Sequence, residues 1–436
     1  MKTIIRLFCL SAMLDIFSQA AHAQADYTVH EWGTFTDVQG GDGKLLSWRP
    51  LQTSELPNFV RDWKTSGMNR RFAGFFMGNQ PTIVTGVKEM MVTLQRLETP
   101  VMYFYSDEDM TVDVNVKFPG GLITEWFPQA TQIGPSFPLD TNVSDAGTLP
   151  DSRAVWKHLQ LFSESKHHGE FENRFPPNQS GSHYFAARET AADTVRTEFA
   201  DGTKEPDNYE KFIFYRGAGS FKTPLVVSVN SGNEVVVENS GAEKLSHLFL
   251  VSIHNGRGAF ALMDELPARN PVAWMNLNAD SNWKYFPLAQ FQNEIGAQME
   301  SALTGEGLFA DEAKAMVNTW KDSWFMEEGE RVLYILPRAW TDETLPMTLN
   351  PKPEKIVRVM VGRAEVIAPS AEMKLSQDLS KAQTGDANSR GNAIAELKTF
   401  GRFAEPALNL ALRDGASTNA VELGYQLLFE TMQSKN

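Results

Sequence analysis

The sequence has 436 residues and a formal net charge of −14 at pH 7. This charge argues against nucleic acid and anionic membrane surfaces as partners, because both repel acidic proteins. A chain of this length predicts two or three domains. The single cysteine is Cys9. Beyond that position, the protein cannot use disulfides, thiolate metal ligands or a cysteine nucleophile.

Residues 1–23 have the pattern of a secretory signal peptide. Lys2 and Arg6 form a positively charged N-terminal region, and residues 7–14 form a short apolar stretch. Residues 21–23 read Ala-His-Ala, which is the A-x-A pattern of a cleavage site. An N-terminal membrane anchor is the alternative, but the apolar stretch is far shorter than the ~20 residues that span a bilayer. We expect cleavage after Ala23, a periplasmic or secreted location, and no integral membrane span after cleavage.

The clearest strand signals lie in residues 94–127. Residues 101–105 are an apolar run typical of a buried strand. Apolar residues then alternate with polar ones, at Val112, Val114, Val116 and Phe118. This alternation predicts a strand with one buried face, and Pro119-Gly120-Gly121 predicts a turn into a partner strand at residues 122–127.

The remaining patterns divide the chain into four parts. These are the signal peptide at 1–23, a β-rich domain at 24–210 with an irregular excursion at 128–210, an immunoglobulin-like β domain at 211–369 with a helical pair at 288–325, and a C-terminal helical segment at 370–436. The expected fold class is mostly β with α. It comprises two antiparallel β-sandwich-like domains, an inserted helical pair and a C-terminal α-helical appendage.

Two Glu-Trp dipeptides lie in predicted strands, Glu31-Trp32 and Glu125-Trp126. If both strands belong to one sheet, the carboxylates would converge beside two aromatic rings. Paired carboxylates suit glycoside hydrolysis, in which one acts as the acid and the other as base or nucleophile. The alternative is that both glutamates are solvated or pair with an arginine such as Arg96.

Histidines concentrate in the irregular excursion. They are His158, His167, His168 and His183, with Glu170 and Glu172 nearby. Imidazole and carboxylate ligands bind divalent metals, which makes His167, His168, Glu170 and His183 candidate ligands and a divalent metal the candidate cofactor. The alternative is surface histidines with a hydrogen-bonded His183 in the core, because no H-E-x-x-H motif is present.

Residues 182–189 bring an imidazole, a guanidinium and a carboxylate close together in sequence. His183 and Arg188 are therefore candidate catalytic residues beside Glu31 and Glu125. An acyl-transfer triad with a nearby serine is a weaker interpretation, since no G-x-S-x-G motif surrounds one.

Two segments carry a resemblance to known proteins. Residues 30–36, which read HEWGTFT, and residues 329–338 resemble a group of exported bacterial proteins. The resemblance implies a bacterial exported origin, and no activity, cofactor or site residue. Residues 401–408 and the helix pair around them resemble one HEAT-like repeat. One such unit cannot form a solenoid, so we expect an appendage used for docking or dimerisation.

The sequence supports three classes of function. The first is an extracytoplasmic ligand-binding or envelope-associated protein that presents some of its ten tryptophans to a ligand such as a polysaccharide. The second is a hydrolase of an extracytoplasmic substrate that works through the paired glutamates or through a His-ligated metal. The third is a structural protein that docks onto a protein partner through residues 370–436.

Overall fold

The computed structural model of the protein describes residues 25–51, 56–62, 75–77, 80–82, 91–134, 151–198, 207–277, 283–383, 385 and 387–433. The predicted signal peptide and its cleavage site lie outside these residues.

The strands follow one another through the described chain. The first are β1 (Ala25–Gly40), β2 (Arg61–Asp62), β3 (Phe75–Met77), β4 (Gln80–Thr82), β5 (Gln95–Ser106), β6 (Met110–Phe118), β7 (Gly121–Phe127), β8 (Gln132–Gly134), β9 (Ser152–Phe162), β10 (Thr194–Thr197) and β11 (Asn208–Glu210). The others are β12 (Ile213–Gly219), β13 (Leu225–Val229), β14 (Glu234–Asn239), β15 (Leu245–His254), β16 (Arg257–Leu266), β17 (Pro271–Asn276), β18 (Phe286–Pro287), β19 (Gly329–Ile335), β20 (Met347–Asn350) and β21 (Pro353–Ile367).

Helices enter mainly in the second half of the described chain. They are α1 (Glu164–His167), α2 (Leu288–Gly305), α3 (Ala310–Phe325), α4 (Arg338–Thr344), α5 (Pro369–Ala382), α6 (Ala387–Thr399), α7 (Ala404–Arg413) and α8 (Thr418–Gln433). Short 3₁₀ turns occupy Glu172–Arg174, His183–Arg188 and Gly401–Phe403. None of the helices in this part of the chain combines the length and apolar character needed to cross a membrane.

A ten-stranded sheet organises the molecule. Its order is β18-β16-β15-β19-β21-β1-β5-β12-β7-β2, with β1 near the centre. β1 pairs in parallel with β21 and antiparallel with β5. Smaller sheets are formed by β11-β10-β9-β6-β20, with β8 beside β9, by β13-β14-β17, and by β3-β4.

The two faces of the large sheet bury different layers. One face packs against the smaller sheets, where Phe35 and Trp126 share a core with Val114 of β6 and Val237 of β14. The other face packs against α2 and α3. The core on this side includes Trp32, Val101, Phe291, Met316 and Trp324. Burying each large apolar side chain contributes about 1.5–3 kcal/mol, so the sheet is held from both sides.

The C-terminal helices cover one end of the large sheet. Val38 at the end of β1 and Ile367 at the end of β21 share a core with Leu408 of α7 and Leu427 of α8. These helices, the helical pair at 288–325 and the β-rich character of the chain confirm the predicted fold class.

The half-buried strand predicted in the central region is confirmed, because Val112, Val114, Val116 and Phe118 of β6 are all buried. The predicted pairing of β6 with the following strand is wrong. β6 pairs with β9 and β20, whereas β7 pairs with β12 and β2 in the large sheet. Gly120 (φ 64°) and Gly121 allow the chain to change sheets, because a Cβ on Gly121 would lie 2.5 Å from the Phe118 ring.

The predicted boundary at residue 210 does not separate two sheets. β12 follows that boundary in sequence, but it lies between β5 and β7 of the preceding segment. The large sheet therefore takes strands from both the 24–210 and the 211–369 segments. Residues 152–162, inside the segment expected to be irregular, form the continuous strand β9.

Asp37 on β1 is a carboxyl group inside the core. Its side chain is 1% exposed and accepts hydrogen bonds from Thr223 Oγ1 at 2.6 Å and Gln39 Nε2 at 2.9 Å. Burial outweighs these hydrogen bonds and raises the pKa of Asp37 from 3.8 to about 6.

We predict that Asp37→Asn stabilises the protein at neutral pH. The folded state binds this proton more tightly than the unfolded state, so wild-type stability falls as pH rises from about 4 to 6. The amide removes the buried charge and should add about 2–3 kcal/mol to the free energy of unfolding at pH 7.5. Denaturant unfolding at pH 4.5 and 7.5 measures both values. A variant less stable than wild type at pH 7.5 would contradict this account of Asp37.

Candidate functional site

A cavity of about 280 Å³ lies where the large sheet meets α3, the turn His183–Arg188 and the C-terminal helices. Three guanidinium groups line it, from Arg96 on β5, Arg216 on β12 and Arg402 in the C-terminal segment. We call it the arginine-lined cavity. Its volume is close to the lower end of the range found for small-molecule pockets.

Irregular backbone aims side chains into this cavity. Register shifts occur between Trp32 and Thr34 on β1 and between Phe214 and Gly217 on β12, on the two strands that flank β5. Between them on β5, Thr99 lines the cavity with a φ of 49°. Bulges re-aim side chains, and a left-handed β-branched residue is strained. Such strain collects at functional sites, which supports a binding role for this region.

Glu98 is the central carboxylate of the cavity wall. It is 3% exposed, and its Oε1 accepts hydrogen bonds from Thr36 Oγ1 at 2.6 Å and Arg402 Nη1 at 3.0 Å. Arg96 Nε lies 3.3 Å from its Oε2. Burial alone would raise the pKa of Glu98, but Arg402, Arg96 and the Thr36 hydrogen bond lower it to about 2. The group is therefore a fixed negative charge.

Arg96 is a buried cation with other cations close by. Burial lowers the pKa of Arg96 to about 10; Glu98 opposes this shift, whereas Arg216 and Arg402 add to it by repulsion. Arg216 in turn donates from Nη2 to Glu125 Oε1 at 3.0 Å. Three guanidinium groups thus line this cavity, and each lies beside a buried glutamate.

A second group of charged residues lies next to the cavity, at the C-terminal end of α3. Arg363 Nη2 lies 2.6 Å from Glu327 Oε2 and 2.7 Å from Glu365 Oε2. Arg331 Nε donates to Glu365 Oε2 at 3.0 Å. Glu327 lines the cavity and its side chain is 39% exposed, while Arg363 and Arg331 are buried.

Together these residues form what we call the buried charge network. Its members are Arg96, Arg216, Arg331, Arg363, Arg402, Glu98, Glu125, Glu327 and Glu365. Five guanidinium groups thus face four carboxylates. Asp322 and His183 stand at the rim, where Asp322 is 47% exposed. The charged groups that line the cavity are the guanidinium groups of Arg96, Arg216 and Arg402 and the carboxylates of Glu98, Asp322 and Glu327.

The structure does not bring the two predicted glutamates together. Glu31 on β1 lies opposite Met102 on β5, and Met102 lies opposite Ile213 on β12. Tyr215 is two residues beyond Ile213 on the same strand, so Glu31 and Tyr215 lie on the same face of the sheet. Glu125 lies opposite Arg216 on the other face, because successive side chains of a strand alternate between faces. Each glutamate has its own cation: Arg358 Nε donates to Glu31 Oε2 at 2.6 Å, and Arg216 donates to Glu125.

His183 and Arg188 also separate. His183 lines the arginine-lined cavity, with its Nδ1 3.8 Å from Asp322 Oδ2. Arg188 is bound to Glu210, with Nη2 to Oε2 at 2.6 Å and Nε to Oε1 at 2.8 Å. It is not among the residues that line the cavity. Glu125 does not line the cavity itself, but it pairs with Arg216, which does.

The predicted metal ligands do not converge on one point. His167 lies 2.9 Å from Asp109 Oδ2 and 2.7 Å from Glu170 Oε2, whereas His168 lies 2.7 Å from Glu164 Oε1. The hydrogen bonds with Glu170 and Asp109 raise the pKa of His167. In the part of the chain that the structure describes, no group of three or more His, Cys, Asp or Glu side chains is placed to hold a metal ion.

No sequence motif identifies Arg96, Arg216 and Arg402 as site residues. Arg96 and Glu98 lie in a strand that is otherwise buried, and charged residues in such a strand usually have partners. The two charged residues therefore indicate that β5 has charged partners. Those partners, Arg216 and Arg402, are distant in sequence, so the cluster becomes visible only in the folded structure.

We predict that Glu98→Gln destabilises the protein at neutral pH by about 3–5 kcal/mol, because Arg96 and Arg402 lose their shared counter-charge. The pKa of Glu98 in the folded state, about 2, is below the 4.5 of a free glutamate. Its contribution is therefore present above about pH 4.5 and is lost as pH falls towards 2. Denaturant unfolding at pH 7 and pH 3 measures the difference.

The matched control is Glu265→Gln. Glu265 pairs with Lys244, and both side chains are more than half exposed. This substitution should change stability by at most about 0.5 kcal/mol. Equal losses in the two variants would mean that the buried charge network does not hold the sheet to the C-terminal segment.

No protein-family model and no curated protein sequence matches the chain. Among solved structures, the chain is similar to the Fcho1 Mu homology domain of Danio rerio with bound Eps15 peptide. The match covers 78% of this chain and 97% of that chain, at 8% identity and a TM-score of 0.28. At that TM-score the likeness carries no argument about fold or function.

Proposed function

We propose that the protein is an exported ligand-binding protein and that the arginine-lined cavity is its binding site. The observation that supports this proposal is the convergence of three guanidinium groups, from Arg96, Arg216 and Arg402, on one cavity. Guanidinium groups match carboxylates and phosphates in shape as well as charge.

The arginines are held in place before any ligand arrives. Glu98 fixes Arg402 through two contacts of 3.0 and 3.1 Å, and Glu125 fixes Arg216. Less side-chain freedom is lost on binding when the donors are already ordered, so the same contacts give a higher affinity. The same pairs that hold the sheet to the C-terminal segment would therefore also prepare the cavity for an anion.

The place of action follows from the predicted signal peptide. An exported protein meets ligands of the cell envelope or the medium, such as a polysaccharide and its fragments. Binding to an envelope component therefore belongs to the same proposal, and detection of Met1 on the purified protein would contradict export.

We predict that small anions stabilise the wild-type protein and bind Arg402→Gln about tenfold more weakly or worse, because that guanidinium faces the cavity. Isothermal titration with acetate, phosphate and glucuronate measures the affinities. Arg390→Gln is the control, since Arg390 pairs with Glu430 on the surface of α6 and α8. Failure of every anion to bind, or equal binding by both variants, would contradict the proposed site.

A hydrolase is the second candidate, and one observation favours it: the imidazole of His183 lies in the same cavity as the arginines, near Asp322. An imidazole within reach of a bound substrate suits general acid–base catalysis. If the protein hydrolyses a glycan or ester, His183→Ala should abolish turnover and leave the thermal midpoint unchanged, since His183 is 38% exposed. Turnover that survives this substitution would exclude His183 as the base.

A further inference from the structure

We infer that the ligand of the arginine-lined cavity is a zwitterion, namely an α-amino acid with an apolar side chain. The inference rests on the proposed function and adds the chemical class of the ligand. Three features of the cavity lead to it: the depth at which charges of each sign lie, the contacts of the carboxylate at its mouth, and its apolar wall.

The two signs of charge lie at different depths in the cavity. Arg96 and Arg216 are buried, and Arg402 is only 13% exposed. The carboxylates of Asp322 and Glu327 line the same cavity, but their side chains are 47% and 39% exposed. The guanidinium groups therefore lie towards the inner end of the cavity, and these two carboxylates lie at its mouth.

This arrangement selects among ligands by their charge. The guanidinium groups can donate to a carboxylate of the ligand but repel a simple amine, and the carboxylates at the mouth repel a simple anion. A ligand with a carboxylate and an ammonium group is matched at both places. It also adds no net charge to a lining that contains three guanidinium groups and three carboxylates.

Asp322 is the carboxylate that would bind the ammonium group. Glu327 already accepts a hydrogen bond from Arg363 Nη2 at 2.6 Å. Among the described residues, the nearest basic atom to the Asp322 carboxylate is His183 Nδ1 at 3.8 Å, which is longer than a hydrogen bond. The three N–H donors of an ammonium group could reach this carboxylate and the water at the mouth.

The opposite charges that the ligand would contact are close together. Arg402 Nη2 donates to Ser323 Oγ at 3.3 Å, and Ser323 follows Asp322 directly on α3. Both α3 residues line the cavity. A cation and a carboxylate on neighbouring residues suit a ligand that carries its own two charges on a single carbon, as an α-amino acid does.

The apolar part of the lining suits the side chain of such a ligand. Leu56, Tyr184 and Trp320 line the cavity, and the Trp320 ring stacks against Trp324 at a centroid distance of 6.3 Å. Aromatic rings held in this way favour burial of an apolar or aromatic group. The volume of about 280 Å³ suits one amino acid rather than a longer peptide.

The test compares the affinities of the wild-type protein for four ligands by isothermal titration at pH 7.5 and one ionic strength. The ligands are phenylalanine, 3-phenylpropionate, which lacks the ammonium group, phenethylamine, which lacks the carboxylate, and glycine, which lacks the side chain. We expect phenylalanine to bind at least about tenfold more tightly than each of the other three, because it alone has all three groups.

Asp322→Asn tests the contact with the ammonium group and keeps the shape of a partly exposed side chain. We expect it to weaken phenylalanine binding about tenfold, because the charge opposite the ammonium group is lost. The variant should bind 3-phenylpropionate at least as tightly as the wild type does, because it loses only a charge that repels this anion. Asp264→Asn is the matched control, since Asp264 is exposed on β16 and should leave all four affinities unchanged.

The outcomes separate this inference from the proposed function. If 3-phenylpropionate binds as tightly as phenylalanine, or if Asp322→Asn weakens both equally, the zwitterion inference is overturned and an anion-binding cavity remains. Equal binding of glycine and phenylalanine would overturn the assignment of an apolar side chain. Failure of all four ligands to bind would overturn both the inference and the proposed site.

Discussion

The pairing of buried arginines with buried glutamates is the constraint on which the arrangement of this protein depends. Glu98 on β5 of the sheet pairs with Arg402, and Arg402 Nη2 also donates to Ser323 Oγ on α3 at 3.3 Å. Arg363 on β21 pairs with Glu327, which follows α3. Removing one partner of a buried ion pair costs about 3–5 kcal/mol, because the other charge is left in a poorly solvated place. The sheet, α3 and the C-terminal segment are therefore held in one relative position.

This constraint makes the C-terminal helices an integral part of the fold. Their resemblance to a HEAT-like repeat suggests an appendage. The Arg402 guanidinium, however, lies over the rings of Trp48 and Phe403, and the guanidinium of Arg363 on β21 also lies over the Phe403 ring. Leu408 and Leu427 bury the ends of β1 and β21. The segment completes one wall of the cavity, so a docking partner at residues 370–436 would act on a part of the candidate site itself.

Local patterns in the sequence were sufficient for single elements and insufficient for their partners. Val112, Val114 and Val116 identify β6 through a period of two, and the apolar stripe from Leu288 to Leu303 identifies α2, because periodicity is a local property. The sheet that receives β6 depends on a turn at Gly120 and on β9, far away in sequence. The cavity depends on still longer separations, since Glu98 and Arg402 are 304 residues apart.

The way the cavity is assembled links binding to folding in this molecule. Arg96 lies on β5, Arg216 on β12 and Arg402 in the C-terminal segment, and all three line one cavity. A ligand can contact the three together only when the sheet and the C-terminal segment are already assembled around it. Ligand binding and the docking of the C-terminal helices should therefore strengthen each other, since anything that binds only the assembled state stabilises it.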